Sequence, residues 1–338
     1  MIARLRWIRF FLNLCLFILL SVSALNYQTS VYLIYQAKGQ LSLLLNTQSF
    51  ADFEKNNPLS QKEKSNILLV DEIKKYSVDS LGYKPTKNFS NIYDQKKATL
   101  LWVITACKPY AFNLYEWKFP LVGRVSYKGF FRKELAMKEY THLVASGYDV
   151  DLRGVSAWST LGWLNDPLLS SMLGRSKGGL CNLLFHELFH ATYYAANSVS
   201  FNENIASFVA HKATLQFLKS DSLALNEYVK SYNDNITFNN YMLRQINNLK
   251  KYYSGIQNNS NKYVLKLKAI NQVVDSISHL PLHNKARYVS RRGDILKFKN
   301  AYFVDFLQYD SMQDSLEEVF NKIYRGNIEK LVQDLRLN

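Results

Sequence analysis

The sequence predicts an α+β fold, predominantly helical, with a small sheet ahead of two central helices and a helical C-terminal part. Three observations lead there. Apolar residues recur at helical spacing before residue 80 and again beyond residue 180, whereas short β-type runs gather between residues 99 and 155. Glycine and proline are scarce, 13 and 6 in 338 residues, so long regular elements meet few breaks. The chain is 48% hydrophobic and 20% charged, an ordinary globular balance with enough apolar side chains for a real core.

The first element is an address. Arg4, Arg6 and Arg9 precede an apolar run over residues 10–25, which closes on the small residues Ser21, Ser23 and Ala24. A basic flank followed by an apolar centre is the pattern of a secretory signal or an N-terminal membrane anchor, and residues 1–26 are read as one or the other. Cleavage after Val22-Ser23-Ala24 and retention as an anchor both fit, because apolar residues continue past Tyr27. In either case the arginines stay in the cytoplasm and the remainder is exported, on the periplasmic side of the inner membrane.

Residues 27–338 are expected to form one domain. Residues 27–46 read as a helix, and residues 60–76 as another with Ile67, Val70 and Ile73 on one stripe. After a polar connection at 88–97, a sheet-containing part spans about 95–180. Its strands are expected at 99–105, 119–125 and 148–155, with a crossing helix at 132–145. Two helices follow, at 182–195 and 202–218. Lys- and Asn-rich helical segments occupy 222–278, and a break at 279–282 precedes helices near 300–309, 312–324 and 328–335.

The formal charge of +15 raises the question of partners. The lysines are spread along the chain, with no helix-turn-helix, zinc-finger spacing or aromatic RNA-binding signature beside them. A solvated basic surface facing anionic lipid is expected, and no nucleic-acid partner. Cys15, Cys107 and Cys181 make no disulfide framework. Cys107 and Cys181 are either one internal bridge or two buried thiols.

The chemistry concentrates at Leu183-Leu184-Phe185-His186-Glu187-Leu188-Phe189-His190, an H-E-x-x-H motif inside an apolar helical run. Positions i and i+4 share a helix face, so His186 and His190 can reach one ion from a rigid support. Glu187 can polarise a water on that ion without being a ligand. The following helix opens Phe201-Asn202-Glu203-Asn204-Ile205-Ala206-Ser207, and Glu203 completes a two-His, one-Glu set for one Zn2+ with a position left open. The H-E-x-x-H-x-x-G-x-x-H layout is excluded, since Tyr193 and Ala196 stand at its glycine and third histidine. His211 is read as surface or as a neighbour of the ligands; His142, His279 and His283 have no ligand spacing.

These residues resemble a bacterial "predicted aminopeptidase" family of exported proteins similar to gluzincin zinc peptidases. The resemblance covers most of the chain. It is carried by Tyr35-Gln36-Ala37-Lys38-Gly39-Gln40, Phe119-Pro120-Leu121-Val122-Gly123, Tyr127-Lys128-Gly129-Phe130-Phe131 and Gly147-Tyr148-Asp149-Val150. Arg153-Gly154-Val155-Ser156-Ala157-Trp158-Ser159-Thr160-Leu161-Gly162-Trp163, Asp166-Pro167-Leu168-Leu169 and the two metal segments complete it. The resemblance implies a zincin-like (gluzincin) metallopeptidase fold and a zinc site. Two departures stand out: members often carry cysteines where this chain has Lys118 and Arg124, and thermolysin-like enzymes place an acid four residues after the ligand Glu, where this chain has Ser207. A partner for the ligand imidazoles is therefore sought elsewhere.

In gluzincins the strand before the metal helix borders the cleft and can take substrate backbone as an added strand, which makes Arg153, Trp158 and Trp163 substrate-binding candidates; a tightly packed turn fits the same stretch. For the tyrosine that such enzymes set against the oxyanion, Tyr309 and Tyr302 are preferred, with Tyr194 one turn past His190. Asp166 is the one acid identified for a free α-amine. The function expected is zinc-dependent hydrolysis of a peptide substrate, by water activated between zinc and Glu187. The alternative is a catalytically inactive, membrane-tethered, peptidase-like binding protein, and a basic scaffold for lipid or nucleic acid is a third reading.

Overall fold

The computed structural model describes residues 27–119, 123–155, 165–196, 198–307 and 312–337. The expected signal or anchor at 1–26 lies outside them. The first third of the chain runs through helix α1 (Tyr27–Leu45), strand β1 (Thr47–Gln48) and helices α2 (Phe50–Asn56) and α3 (Gln61–Asp79). A reciprocal cap starts α3: the Ser60 hydroxyl accepts from the Glu63 N–H while the Glu63 carboxylate accepts from the Ser60 N–H.

Next come β2 (Ile92–Tyr93), β3 (Leu101–Cys107), β4 (Trp117–Phe119), β5 (Gly123–Val125), β6 (Lys128–Phe130), α4 (Lys133–Ala145), β7 (Asp149–Val155) and β8 (Leu168–Leu169). The main sheet is antiparallel in the order β6-β3-β7, with Val103 opposite both Gly129 and Arg153. The segment expected as one strand at 119–125 is instead two paired strands, β4 and β5, because Gly123 adopts φ +82°, a conformation that turns the chain back. A second small sheet, β1-β2-β8, ties the start of the described chain to the segment before the H-E-x-x-H helix.

Helices fill the remainder: α5 (Lys177–His190), α6 (Val199–Phe217), α7 (Ser222–Ile256), α8 (Lys262–Ser276), α9 (Lys285–Val289), α10 (Arg292–Phe298), α11 (Asn300–Phe303), α12 (Gln313–Lys322) and α13 (Ile328–Leu337). The helix expected at 182–195 is displaced toward the N-terminus. Ser176 caps it by accepting from Gly179 N–H, and it ends at His190. Gly178 is required inside it: a Cβ there would lie 2.5 Å from Cβ of Tyr228 on α7.

Three apolar clusters hold these elements together. The first packs Leu184, Phe185, Leu188 and Phe189 of α5 against Val209 of α6 and Ile73 of α3. Phe320 of α12 and Leu331 and Val332 of α13 join the same cluster. The second gathers Phe238, Met242 and Ile246 of α7, Ile270 of α8 and Phe303 of α11 around Cys107 at the end of β3. The third lies between α4 and the sheet, with Ile104, Phe130, Ala136, Leu143 and Val150. The C-terminal part expected at 222–338 is thus divided: α7 to α11 carry a core of their own, and α12 and α13 return to α5 and α6. Cys107 and Cys181 are free, buried in separate cores, so the internal bridge is absent.

Candidate metal centre

Helices α5 and α6 are antiparallel neighbours, and the i, i+4 periodicity of each brings one polar face to the other. His186 and His190 sit on the last turns of α5, while Glu203 and Ser207 sit on the first turns of α6. Between them Asn202 grips the connection, its side chain accepting from Ala195 N–H and donating to Ala195 C=O, both at 2.8 Å. The apolar faces of the same helices are sunk in the first core, which leaves the polar seam rigidly supported.

At that seam His186 Nε2 lies 3.3 Å from Glu203 Oε2, His190 Nε2 lies 3.4 Å from Glu203 Oε1, and the two Nε2 atoms are 3.1 Å apart. One ligand atom from each residue falls within 4.8 Å of the others. Bonds of about 2.0–2.1 Å to a tetrahedral zinc set neighbouring donors roughly 3.3 Å apart, which the three separations match. Two imidazole nitrogens and a carboxylate facing one point are a donor set of the kind that suits a divalent cation.

The electrostatics fit the same reading. Burial pushes the His190 imidazole down to about 4, assisted by repulsion from His186, which keeps it neutral. For His186 burial acts downward, but the hydrogen bond to Glu203 and the charges of Glu187 and Glu203 outweigh it and raise the value. Burial also opposes ionisation of Glu203, and both imidazoles overcome it, holding the carboxyl below its ordinary value. Glu187, next to His186 on α5, is half-buried, and its charge acts on that imidazole.

Ser207 Oγ lies 3.4 Å from His186 Nδ1. The sequence reading set this position aside for lacking an acid, yet its hydroxyl stands at the outer nitrogen of a ligand ring, where it can fix the tautomer. His190 Nδ1 is buried with no hydrogen-bond partner among the described residues. The seam continues away from the ligands: Asn182 donates to the Tyr228 hydroxyl, which also meets His211 Nδ1 at 3.0 Å. His211 stacks on Tyr232 at 3.6 Å, and burial with the Lys212 charge lowers it to about 4. It is a neighbour of the ligand seam.

The other candidates separate. Arg153 pairs with Asp151 of its own strand and with Asp305, and with Tyr302 and Arg291 it lines a cavity of about 280 Å³ beside the second core. The contacts that fix Arg153 and Tyr302 therefore run to this cavity. Trp158, Trp163 and Tyr309 lie outside the described residues. Asp166 is buried, its N–H donating to Asn88 Oδ1 and its C=O accepting from Phe89 N–H.

One further tyrosine, not among the candidates above, is coupled to Glu203. Tyr127, at the entry to β6, is exposed, yet burial of its phenol together with the charges of Glu203 and Tyr194 raises its pKa. Tyr127 thus stands in the field of the Glu203 carboxylate. Tyr127 heads the Tyr-Lys-Gly-Phe-Phe segment that carried part of the resemblance, but no spacing rule connects a strand entry to a helix so far along the chain.

No curated protein and no solved structure matches the chain. The family described as "Putative aminopeptidase" matches residues 31–336, nearly everything the structure describes, including α5, α6 and the Tyr127 segment. The chain belongs to that aminopeptidase family.

Proposed function

We propose that the chain is a zinc-dependent peptidase whose ion is held by His186, His190 and Glu203. The observation that carries this reading is the meeting of two imidazole nitrogens and a carboxylate, from two helices, at the separations of a tetrahedral site. A zincin-like gluzincin fold is part of the proposal, supported by the order of sheet, H-E-x-x-H helix and Glu-bearing helix.

Zinc at such a site supplies a Lewis acid and brings the pKa of water down to about 7. The protein's own groups do the remainder. Glu187 accepts the proton of the attacking water and carries it to the departing amine nitrogen. Ser207 holds the His186 ring in register. Tyr127 and Tyr194 offer O–H donors to the oxygen that gains charge as the peptide carbonyl is attacked. The family description supports an aminopeptidase, which acts on a free N-terminus.

The same proposal places the chain outside the cytoplasm, tethered or signal-cleaved through residues 1–26, on the strength of the Arg4, Arg6, Arg9 flank and the apolar run after it. Among the described residues no helix is long and apolar enough to cross a membrane.

The test is metal content followed by turnover. Purified chain should hold about one zinc per molecule, lost in His186→Ala and Glu203→Ala. Peptides with free N-termini should be cleaved faster than the same peptides acetylated. Folded protein that takes up no zinc when it is supplied would overturn the reading.

A further inference from the structure

Helix α1 is apolar on two opposite sides, and the described residues pack on only one of them. On the inner side the Tyr32 hydroxyl and the Gln36 amide both donate to Gly129 C=O, at 2.9 and 2.8 Å. Gly39 lies so close to Phe131 that a Cβ would fall 2.2 Å from its ring, and Leu43 is buried. At 3.6 residues per turn these four positions occupy one face, and Tyr27, Ile34, Leu41 and Leu45 fall within about 40° of arc on roughly the opposite one. Those outer residues are 70, 66, 56 and 74% exposed, and Leu33 on the flank is 51% exposed. A helix on the surface of a water-soluble body turns its polar side outward. Here the outward side is a stripe about 27 Å long, with Lys38 at its middle.

What covers the stripe is indicated by what precedes it. The apolar run 10–25, flanked by three arginines, leads directly into Tyr27, the first residue of α1. If that run is held in a bilayer, α1 starts at its surface. Lys38 can extend its ammonium to a lipid phosphate while its stem lies among the leucines, and a net charge of +15 favours an anionic surface. Arg132 and Lys38 line a common cavity of about 490 Å³ beside α1, which adds positive charge along the same edge.

We propose that the outer face of α1, Tyr27, Ile34, Leu41 and Leu45 with Lys38, lies on an anionic lipid surface and fixes the orientation of the domain against the membrane. The proposal rests on the tethering reading and is independent of the peptidase activity.

The test uses the full chain with Cys15→Ser, leaving only the buried Cys107 and Cys181, in vesicles of phosphatidylcholine and phosphatidylglycerol. Cysteines introduced as Ile34→Cys, Leu41→Cys and Leu45→Cys carry an environment-sensitive fluorophore, with the exposed Leu223→Cys as reference. Lipids bearing a quencher at the headgroup boundary, about 5–10 Å deep, should quench the three α1 labels several-fold more than the reference. Chain that floats with the vesicles while these labels stay as unquenched and water-accessible as Leu223→Cys overturns the proposal and leaves the tether intact. Labels shielded from water but untouched by lipid quenchers also overturn it, in favour of cover by residues 10–25 or a second copy. Chain that does not float overturns tether and proposal together.

Discussion

Two groups of buried ionisable side chains are built on opposite terms. Where the sheet meets the second core, Lys266 is fully buried and pairs with Asp149 at 2.5 Å, and the same carboxylate oxygen accepts the Asn300 N–H. The Asn300 side chain accepts from the Tyr253 hydroxyl at 2.8 Å and donates to Pro109 C=O at 3.0 Å. Opposite charges are paired there, and the knot joins β7, α7, α8 and α11. At the α5–α6 seam the terms differ: two imidazoles and a carboxylate converge on one point, and His190 Nδ1 has no partner among the described residues. A polar group that closes on itself holds a fold together, and one that does not is waiting for something from outside.

That contrast can be broken by substitution. Glu187→Gln should retain zinc and fold yet lower kcat by about 10²–10⁴-fold, because the lost carboxylate moves protons and binds no metal. Turnover within a factor of a few of wild type would remove Glu187 from the mechanism. Lys266→Met should do the reverse. It strands Asp149 in the core, costs about 3–5 kcal/mol in denaturant unfolding, and leaves activity per folded molecule unchanged. A loss of activity without loss of stability would show that the knot belongs to the site.

Finer changes sharpen the comparison. Ser207→Ala should weaken zinc binding by about 10-fold in a chelator competition, as expected for an outer partner of a ligand ring, and Ser207→Asp should restore it. Equal affinity in all three would make the 3.4 Å approach incidental. The smallest effect concerns Asp234, which accepts from the His283 and Asn284 N–H groups in the connection before α9. Burial acts upward on this carboxyl, but those hydrogen bonds prevail and hold it below its ordinary value. Its contribution to stability is then full above the unfolded value near 3.9 and fades as pH falls through the lower folded one. Unfolding followed from about pH 5 downward should show that acid limb, and Asp234→Asn should flatten it.

Much of the site was legible because its chemistry is local. His186 and His190 are one turn apart on a helix, so periodicity places them on one face, and Glu203 near the start of the next helix is close in sequence. Ser207 was legible by position and misjudged by type: a hydroxyl was discounted where an acid was expected. Tyr127 could not be read, since only the tertiary fold carries β6 toward α6. The same holds for the cavity that collects Arg153 and Tyr302, whose partners Asp305 and Arg291 lie far along the chain. Among the elements, Gly178 and Gly179 hid the true start of α5, because they resemble a turn until Ser176 is seen capping them. The strands β1, β2 and β8 are two residues each, too short for any alternation to show.

The Gln36 side chain does more than fasten α1. It donates to Gly129 C=O and accepts from the Phe131 N–H, as a neighbouring strand would, and so caps the open margin of β6. A sheet margin left bare is a template for joining one molecule to the next. Chain shortened past α1 should therefore retain its zinc ligands but form oligomers and precipitate, and replacing Gln36 alone should begin the same drift toward self-association.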